Sequence, residues 1–466
     1  MKKHAWIFYF LVGLVATAEI CWLYKDEKEV GKEVKETLLK PADMQKDIAY
    51  FFSTLKTIHP NLYVKYDSLT FVALEKKMKE ACSSAQSPLA FECILLKAQR
   101  FLDGHTGFLV KELYKSLRKE RLPEIYFQPD GMWLGKDTLL RIGNVACMEF
   151  CSTLDSMVSW EYNAKKRNLV KNDLLNFLLC NKFKVAYPFR CRIGKYEGGR
   201  IDTLVESAAS LYDYRGYPVS DPHYQKRFDS VYFHPDKIAV LFYNTSDFRS
   251  DKKEEEEFVK FIDVFFQKLN PYDMQTLFVD VTRNGGGNDG LHDYIFAHLN
   301  YKEIQYESHL AGKKEGVEKF CKYAKEVSKD GQTWVETIGK PILKRGVATL
   351  PQKYSSQTDR FGGKVYIIAG PATYSAAFDF CAWAKRLQCG ILVGEELGQR
   401  FPLYGNPVSC TLPHSGISFR VPSTVYWETP ALPLKDGYLQ PDIPYSLDHP
   451  LRLEDFRKIK RMAKTG

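Results

Sequence analysis

The sequence predicts an α/β core in its C-terminal half, preceded by a small helical domain and a mixed α+β module. Three observations carry this. Ile238–Phe242, Thr276–Val281 and Val365–Ala369 are continuous apolar runs, the pattern of strands buried on both faces. Between the first two lies a helical stretch with Phe258, Phe261, Ile262, Phe265, Phe266 and Leu269 on one side. Glycine turns then follow the second and third runs, Gly285-Gly286-Gly287 and Gly370-Pro371. Strand, helix, strand, glycine loop is the order of an α/β crossover.

The N-terminal elements read differently. Lys2, Lys3 and His4 precede an apolar block, Ala5–Ala18, and Ala16-Thr17-Ala18 offers a cleavage site before Glu19. Residues 1–24 are therefore expected to be a signal peptide or an uncleaved membrane anchor, and the bulk of the chain to be exported. Residues 25–40 are a charged linker. The span 41–110 is expected to be a helical domain. Met44, Ile48, Phe51, Phe52, Leu55 and Ile58 recur at helical spacing up to His59-Pro60; Phe71–Cys82 and a stretch from Ser87-Pro88 follow.

Short β-rich runs (Ile125–Phe127, Met132–Leu134, Thr138–Ile142, Val185–Tyr187, Thr203–Val205) around a helical middle, Ser156–Phe183, make 111–230 a mixed module. Glu206–Phe228 reads as a tyrosine-rich connector, 231–450 as the core, and 451–466 as a basic tail. Tyr301–Gln357 is a Lys-rich excursion of helical character.

Composition narrows the function. The 466 residues are 45% hydrophobic and 14% aromatic, which is globular, and long enough for two or three domains. A net charge of +9 is spread among nearly as many acids, with no basic stripe interleaved with aromatics, so nucleic-acid binding is disfavoured. Eleven cysteines show no framework or C-x-x-C spacing, and most are expected to be buried thiols. The ten histidines form no H-E-x-x-H, so neither a metal nor a cofactor is expected.

Two residue types carry the chemistry. Ser375 lies where a strand loop becomes a helix, either as a plain N-cap or as a nucleophile beside unpaired first-turn amides. His105 lies on the Gly-flanked turn Asp103–Gly107, as a turn residue or as an imidazole presented to a neighbouring domain. Gly285–Gly287 reads as a tight turn, a phosphate cradle lacking any nucleotide motif, or an oxyanion loop. No G-x-S-x-G surrounds Ser375, which disfavours an α/β-hydrolase.

Taken in order, LDGHTG, TLFVDVTRNGGGN, VYIIAGPATYSAAFDFCAWAKRLQCGILVGE and Gln440-Pro441-Asp442-Ile443 resemble the motifs of the tail-specific (C-terminal processing) serine peptidases. The likeness spans roughly residues 45–445 and is loose between about 110 and 230. It implies a ClpP/crotonase-like catalytic core, a degenerate PDZ-like middle module, a polypeptide substrate and no cofactor. In the family's serine–lysine branch the base follows the serine by about twenty-five residues; here that place reads Glu396–Arg400, and Arg400 is permanently protonated.

The resemblance therefore points to the serine–histidine branch, similar to the tricorn core protease. Ser375 would be the nucleophile, His105 the base, and amides near Gly286 and Ala376 the oxyanion site. A late acid would orient the imidazole, Asp436 first and Glu428 second. The expected activity is that of an exported serine endopeptidase of envelope or extracellular polypeptides. The alternative is an inactive peptide-binding scaffold of the same fold; an acyl transferase using coenzyme A has no support in the residues.

Overall fold

The computed structural model describes residues 38–114, 122–205, 221–248, 252–302, 304–319, 342–347, 360–429, 432 and 434–465. The expected leader or anchor and most of the charged linker lie outside the described residues. No helix among those described is long and apolar enough to cross a membrane.

The core is a six-stranded sheet. Its strands are β8 (Phe228–Phe233), β9 (Ile238–Tyr243), β10 (Thr276–Asp280), β13 (Lys364–Ala369), β14 (Ile391–Gly394) and β19 (Ile443–Pro444). They lie in the order β19-β14-β13-β10-β9-β8, all parallel except the β8–β9 pair. Every residue of β9 and β10 is buried, because alternate side chains face two different layers. Ala239, Leu241, Leu277, Val279 and Ile367 pack on the helices Lys252–Leu269 and Ala376–Arg386 through Phe258, Ile262, Phe265 and Phe378. Val240, Phe242, Phe278 and Tyr366 face the other way, onto Phe456 and Ile459 of the helix Leu453–Thr465.

That last helix replaces the expected basic tail. Leu451, Phe456 and Ile459 give it an apolar side, and Arg457 forks onto Asp236 through Nε and Nη2. Strand β8 was also unforeseen, since its half-buried residues make it an edge without a continuous apolar run. The helical reading of 301–357 is corrected in part. Gln305–Gly312 (β11) and Ile342–Val347 (β12) are strands of a second sheet.

In that sheet a long hairpin, β15 (Leu403–Thr411) and β16 (Ser418–Thr429), pairs with β11 on one side. Further along the same edge of β16, opposite β15, the short strand β1 (Gly107–Leu109) pairs antiparallel through Gly107↔Arg420 to Leu109↔Ser418. The N-terminal helices are thus not a separate body. Phe51 of Pro41–Ile58, Phe108 of β1 and Phe419 of β16 share one aromatic cluster, with ring centroids 4.5 and 5.2 Å from Phe51.

The middle module is a sheet of β2 (Tyr126–Gln128), β3 (Gly131–Leu134), β4 (Asp137–Ile142), β5 (Val145–Ala146), β6 (Phe189–Gly194) and β7 (Arg200–Val205). The expected strand Val185–Tyr187 is irregular; the strand begins after Pro188, where Phe189, Cys191 and Ile193 alternate inward. Of the expected helical middle, Ser156–Phe183, helix is found from Ala164 to Phe177 and on through Leu178–Lys182. A separate helix, Cys147–Ser156, precedes it, and in the turn between them Asn163 caps the second by accepting from Lys166 N. The nine described cysteines form no disulfide with one another.

Candidate active site

The turn after β13 is built by Thr373. Its hydroxyl donates to Val281 O and accepts from Gly370 N, while Tyr374 N donates to Asn284 O. These bonds hold the segment against the loop that follows β10. Ser375 then adopts φ 54° and ψ −126°, a conformation an L-residue rarely takes and one that turns its side chain out of the helix it precedes. The N-cap alternative fails on this point, since the Ser375 hydroxyl caps nothing. Sharp strand-to-helix strain at the serine is thus present without the G-x-S-x-G sequence that usually signals it.

His105 reaches the same place from the other end of the chain. Asp103 folds its loop: Oδ1 accepts from His105 N and Thr106 N, and Oδ2 from Thr106 Oγ1 and from His59 Nε2 at 2.8 Å. His59 accepts from Asn61 N at Nδ1, which leaves Nε2 as its donor to Asp103. Gln99 ties the loop further, donating to Asp103 O and Thr106 O. Strand β1, anchored on β16, begins two residues later. The outcome is that His105 Nε2 lies 3.1 Å from Ser375 Oγ, across 270 residues of sequence.

Residues 238–443, which include the serine and its loop, match the family model described as peptidase family S41. This stretch is an S41 peptidase domain. No curated protein is similar to the chain at a significant level. Among solved structures, mature CPAF complexed with lactacystin shares the fold with a TM-score of 0.55 at 13% identity, covering 91% of this chain and 98% of that one. A CPAF serine-to-alanine mutant gives 0.55 and 13% over 90% and 94%. Mature CPAF alone gives 0.54 and 13% over 87% and 92%. At this identity the likeness is one of fold.

The S41 domain places the remaining expected residues unevenly. Gly286, at φ 104°, lies directly against the serine. Its amide, however, donates to Asn284 Oδ1. Its contribution to an oxyanion site is therefore a bare Cα, while Ala376 N, first in its helix, has no described partner. Asn284 itself is fully buried and donates to Tyr243 O and Ser246 Oγ, so the loop is rigid.

Neither expected acid meets the imidazole in a described hydrogen bond. Asp436 sits at φ 52° in the turn between β17 (Leu434–Lys435) and β18 (Tyr438–Leu439). Glu428 is a residue of β16 whose backbone pairs with Ser308, and its side chain lies outside the described residues.

What surrounds His105 instead combines a residue of the serine motif with one from a stretch without a motif. Tyr374 Oη is 3.5 Å from His105 Nδ1 and donates to Glu161 Oε2 at 3.0 Å. Glu161 comes from the turn between the two middle-module helices, and Gly104 N donates to the same oxygen. The sequence signal for that turn was Asn163, a helix-capping residue within a presumed continuous helix.

At the place of a lysine base, Gln399 and not Arg400 faces the serine. Ser375 N donates to Gln399 Oε1, while Arg400 stacks over Tyr438 and Trp160. Asp442, of the closing P-D-I, is structural: it accepts from Leu392 N and pairs with Lys385, clamping β19 to β14.

Burial sets the charge states. It pushes His105 down to about 4, against the pull of Asp103 and with the help of Arg420. Burial works to raise Asp103, but the His59 hydrogen bond and the bonds from Thr106 hold it at about 2. Glu161 is pushed up to about 8 by burial and by the Asp103 charge, in spite of the bonds from Gly104 and Tyr374. At neutral pH the S41 domain therefore meets a neutral imidazole.

Proposed function

We propose that the chain is an exported serine endopeptidase of envelope or extracellular polypeptides, with Ser375 as nucleophile and His105 as general base. The observation that supports it is the 3.1 Å contact between His105 Nε2 and Ser375 Oγ, with the serine on a strained turn at a helix N-terminus. In this reading Ser375 Oγ attacks the peptide carbonyl as its proton passes to Nε2. The carbonyl electrons move to oxygen, where the Ala376 amide and the helix N-terminus offset the charge. On collapse of the intermediate the imidazolium gives its proton to the leaving amine. Water, deprotonated by the same nitrogen, then releases the acyl group.

We read the parallel sheet as ClpP/crotonase-like. The middle sheet is read as a degenerate PDZ-like module able to take an extended segment along an edge. The basic Lys2–His4, the apolar Ala5–Ala18 and the Ala16-Thr17-Ala18 site support export, with residues 5–24 as a leader or an anchor.

A serine-reactive fluorophosphonate tests the chemistry. Wild type should be labelled, with Ser375→Ala blank and His105→Ala strongly slowed. An unlabelled wild type beside a labelled control peptidase would leave a non-catalytic scaffold as the function. Fractionation of cells expressing the full chain tests export: recovery in the cytosol would sink that part of the reading.

A further inference from the structure

We propose that Tyr374 and Glu161 form a positioning relay for the base, with His105 Nδ1–H donating to Tyr374 Oη and the phenol proton donating to Glu161 Oε2. The inference rests on the reading of His105 as base. For Nε2 to accept the serine proton, the imidazole must carry its hydrogen on Nδ1, and that hydrogen needs an acceptor. Tyr374 Oη is the described atom in that position, 3.5 Å from Nδ1 and already turned by its 3.0 Å bond to Glu161. The separation is expected to tighten once the ring gains charge.

The other acid beside the ring does not supply the acceptor. Asp103 already takes four hydrogen bonds from His59, Thr106 and the His105 backbone. The relay is also held from several sides. Gly104 is packed so closely that a Cβ there would lie 2.0 Å from Tyr374 Oη. Tyr162 meets the Tyr374 ring edge-on at 5.9 Å, and Lys166 Nζ lies over it at 5.1 Å. Tyr438 Oη donates to Glu161 O and fixes the acid's backbone.

No proton need travel along the relay. It selects a tautomer and sets a dipole, and with Glu161 ionised a carboxylate, behind the imidazolium. The charged groups acting on it are Asp103 from the histidine loop, Arg400 beyond β14, Arg420 on β16 and Lys166. Ligand atoms of Asp103, His105 and Glu161 also lie within 4.8 Å of one another, so a divalent cation is the competing occupant.

The test combines kinetics with a readout that needs no turnover. Tyr374→Phe should lower kcat by about 100-fold with KM little changed. Glu161→Gln keeps an acceptor for the phenol but removes the charge. It should abolish a rise in kcat near pH 8 where Glu161 ionises, and leave the acidic limb in place. Nitrogen-15 NMR of labelled histidine, recorded in a Ser375→Ala background, should show His105 protonated at Nδ1, shifting to Nε2 when Tyr374→Phe is added. This readout separates failure of the relay from failure of the peptidase reading. Wild-type kcat with an unchanged tautomer in folded Tyr374→Phe would overturn the relay. Zinc inhibition reversed by a chelator and absent in Glu161→Gln would assign the pocket to a cation instead. Should Tyr374→Phe not fold, an unchanged pH profile and tautomer in Glu161→Gln would count equally against it.

Discussion

Gly286 packs directly against Ser375 from a separate loop. A Cβ on Gly286 would lie 2.6 Å from the serine's own Cβ and 2.9 Å from Tyr374 O. The glycine also sits at φ 104°, where a side chain is strained whatever the space. Gly286→Ala should therefore move the serine turn, destabilise the protein by roughly 1–3 kcal/mol and remove most activity. Urea unfolding together with turnover measures both; an alanine variant with native values of each would contradict the contact.

With His105 as the proposed base, its low basicity should set the acidic limb of the activity. Since burial holds the imidazole at about 4, kcat/KM should be level from pH 5 to 7 and fall by half near pH 4. A midpoint near 6.5, the value of a free imidazole, would mean that the ring is solvated in the working enzyme.

Stability should share this acid sensitivity through a second histidine. His292, also buried, is pushed down to about 3 by desolvation. Both groups have folded values below the unfolded one, so the unfolded chain binds more protons between pH 6.5 and 4. Their contribution is fully present above pH 6.5 and is lost as pH falls, at about 1.4 kcal/mol per pH unit for each group. Urea midpoints across this range should show the slope, and His292→Gln should reduce it. An unchanged slope would remove His292 from the account.

Gln399 holds the serine's backbone in the way Gly286 holds its side chain. Gln399→Leu keeps the volume but strips Ser375 N of its acceptor, a cost of about 1–3 kcal/mol for a buried donor. The melting temperature should fall, and acylation by the fluorophosphonate should slow. Equal acylation rates would show that the bond does not position the nucleophile.

Much of this centre was legible because its parts have periodic or compositional signatures. The continuous runs of β9, β10 and β13 mark strands with two covered faces, and the glycine loop and Ser375 follow them at once. His105 carried a turn signature of its own. Glu161, Tyr374 and Gln399 had none: each is chosen by what lies opposite it in space, and a buried polar residue in a turn looks like any surface polar residue in one dimension. Strand β8 and the C-terminal helix escaped for a related reason, since each buries one narrow side and exposes charge on the others. Asp436 and Glu428 were expected from order along the chain, which does not by itself set which carboxylate lies near the imidazole.

The pairing of β1 with β16 has a consequence in time as well as in space. Leu109 has no partner strand until Ser418 has been made, and His105 waits just as long for the loop that carries Ser375. Contacts of such long sequence separation close late, after local helices and hairpins have formed. A nascent or truncated chain therefore holds the parts of a peptidase at opposite ends, unassembled. Cutting ability comes with the last strands of the hairpin, which makes completion of the fold its own safety catch.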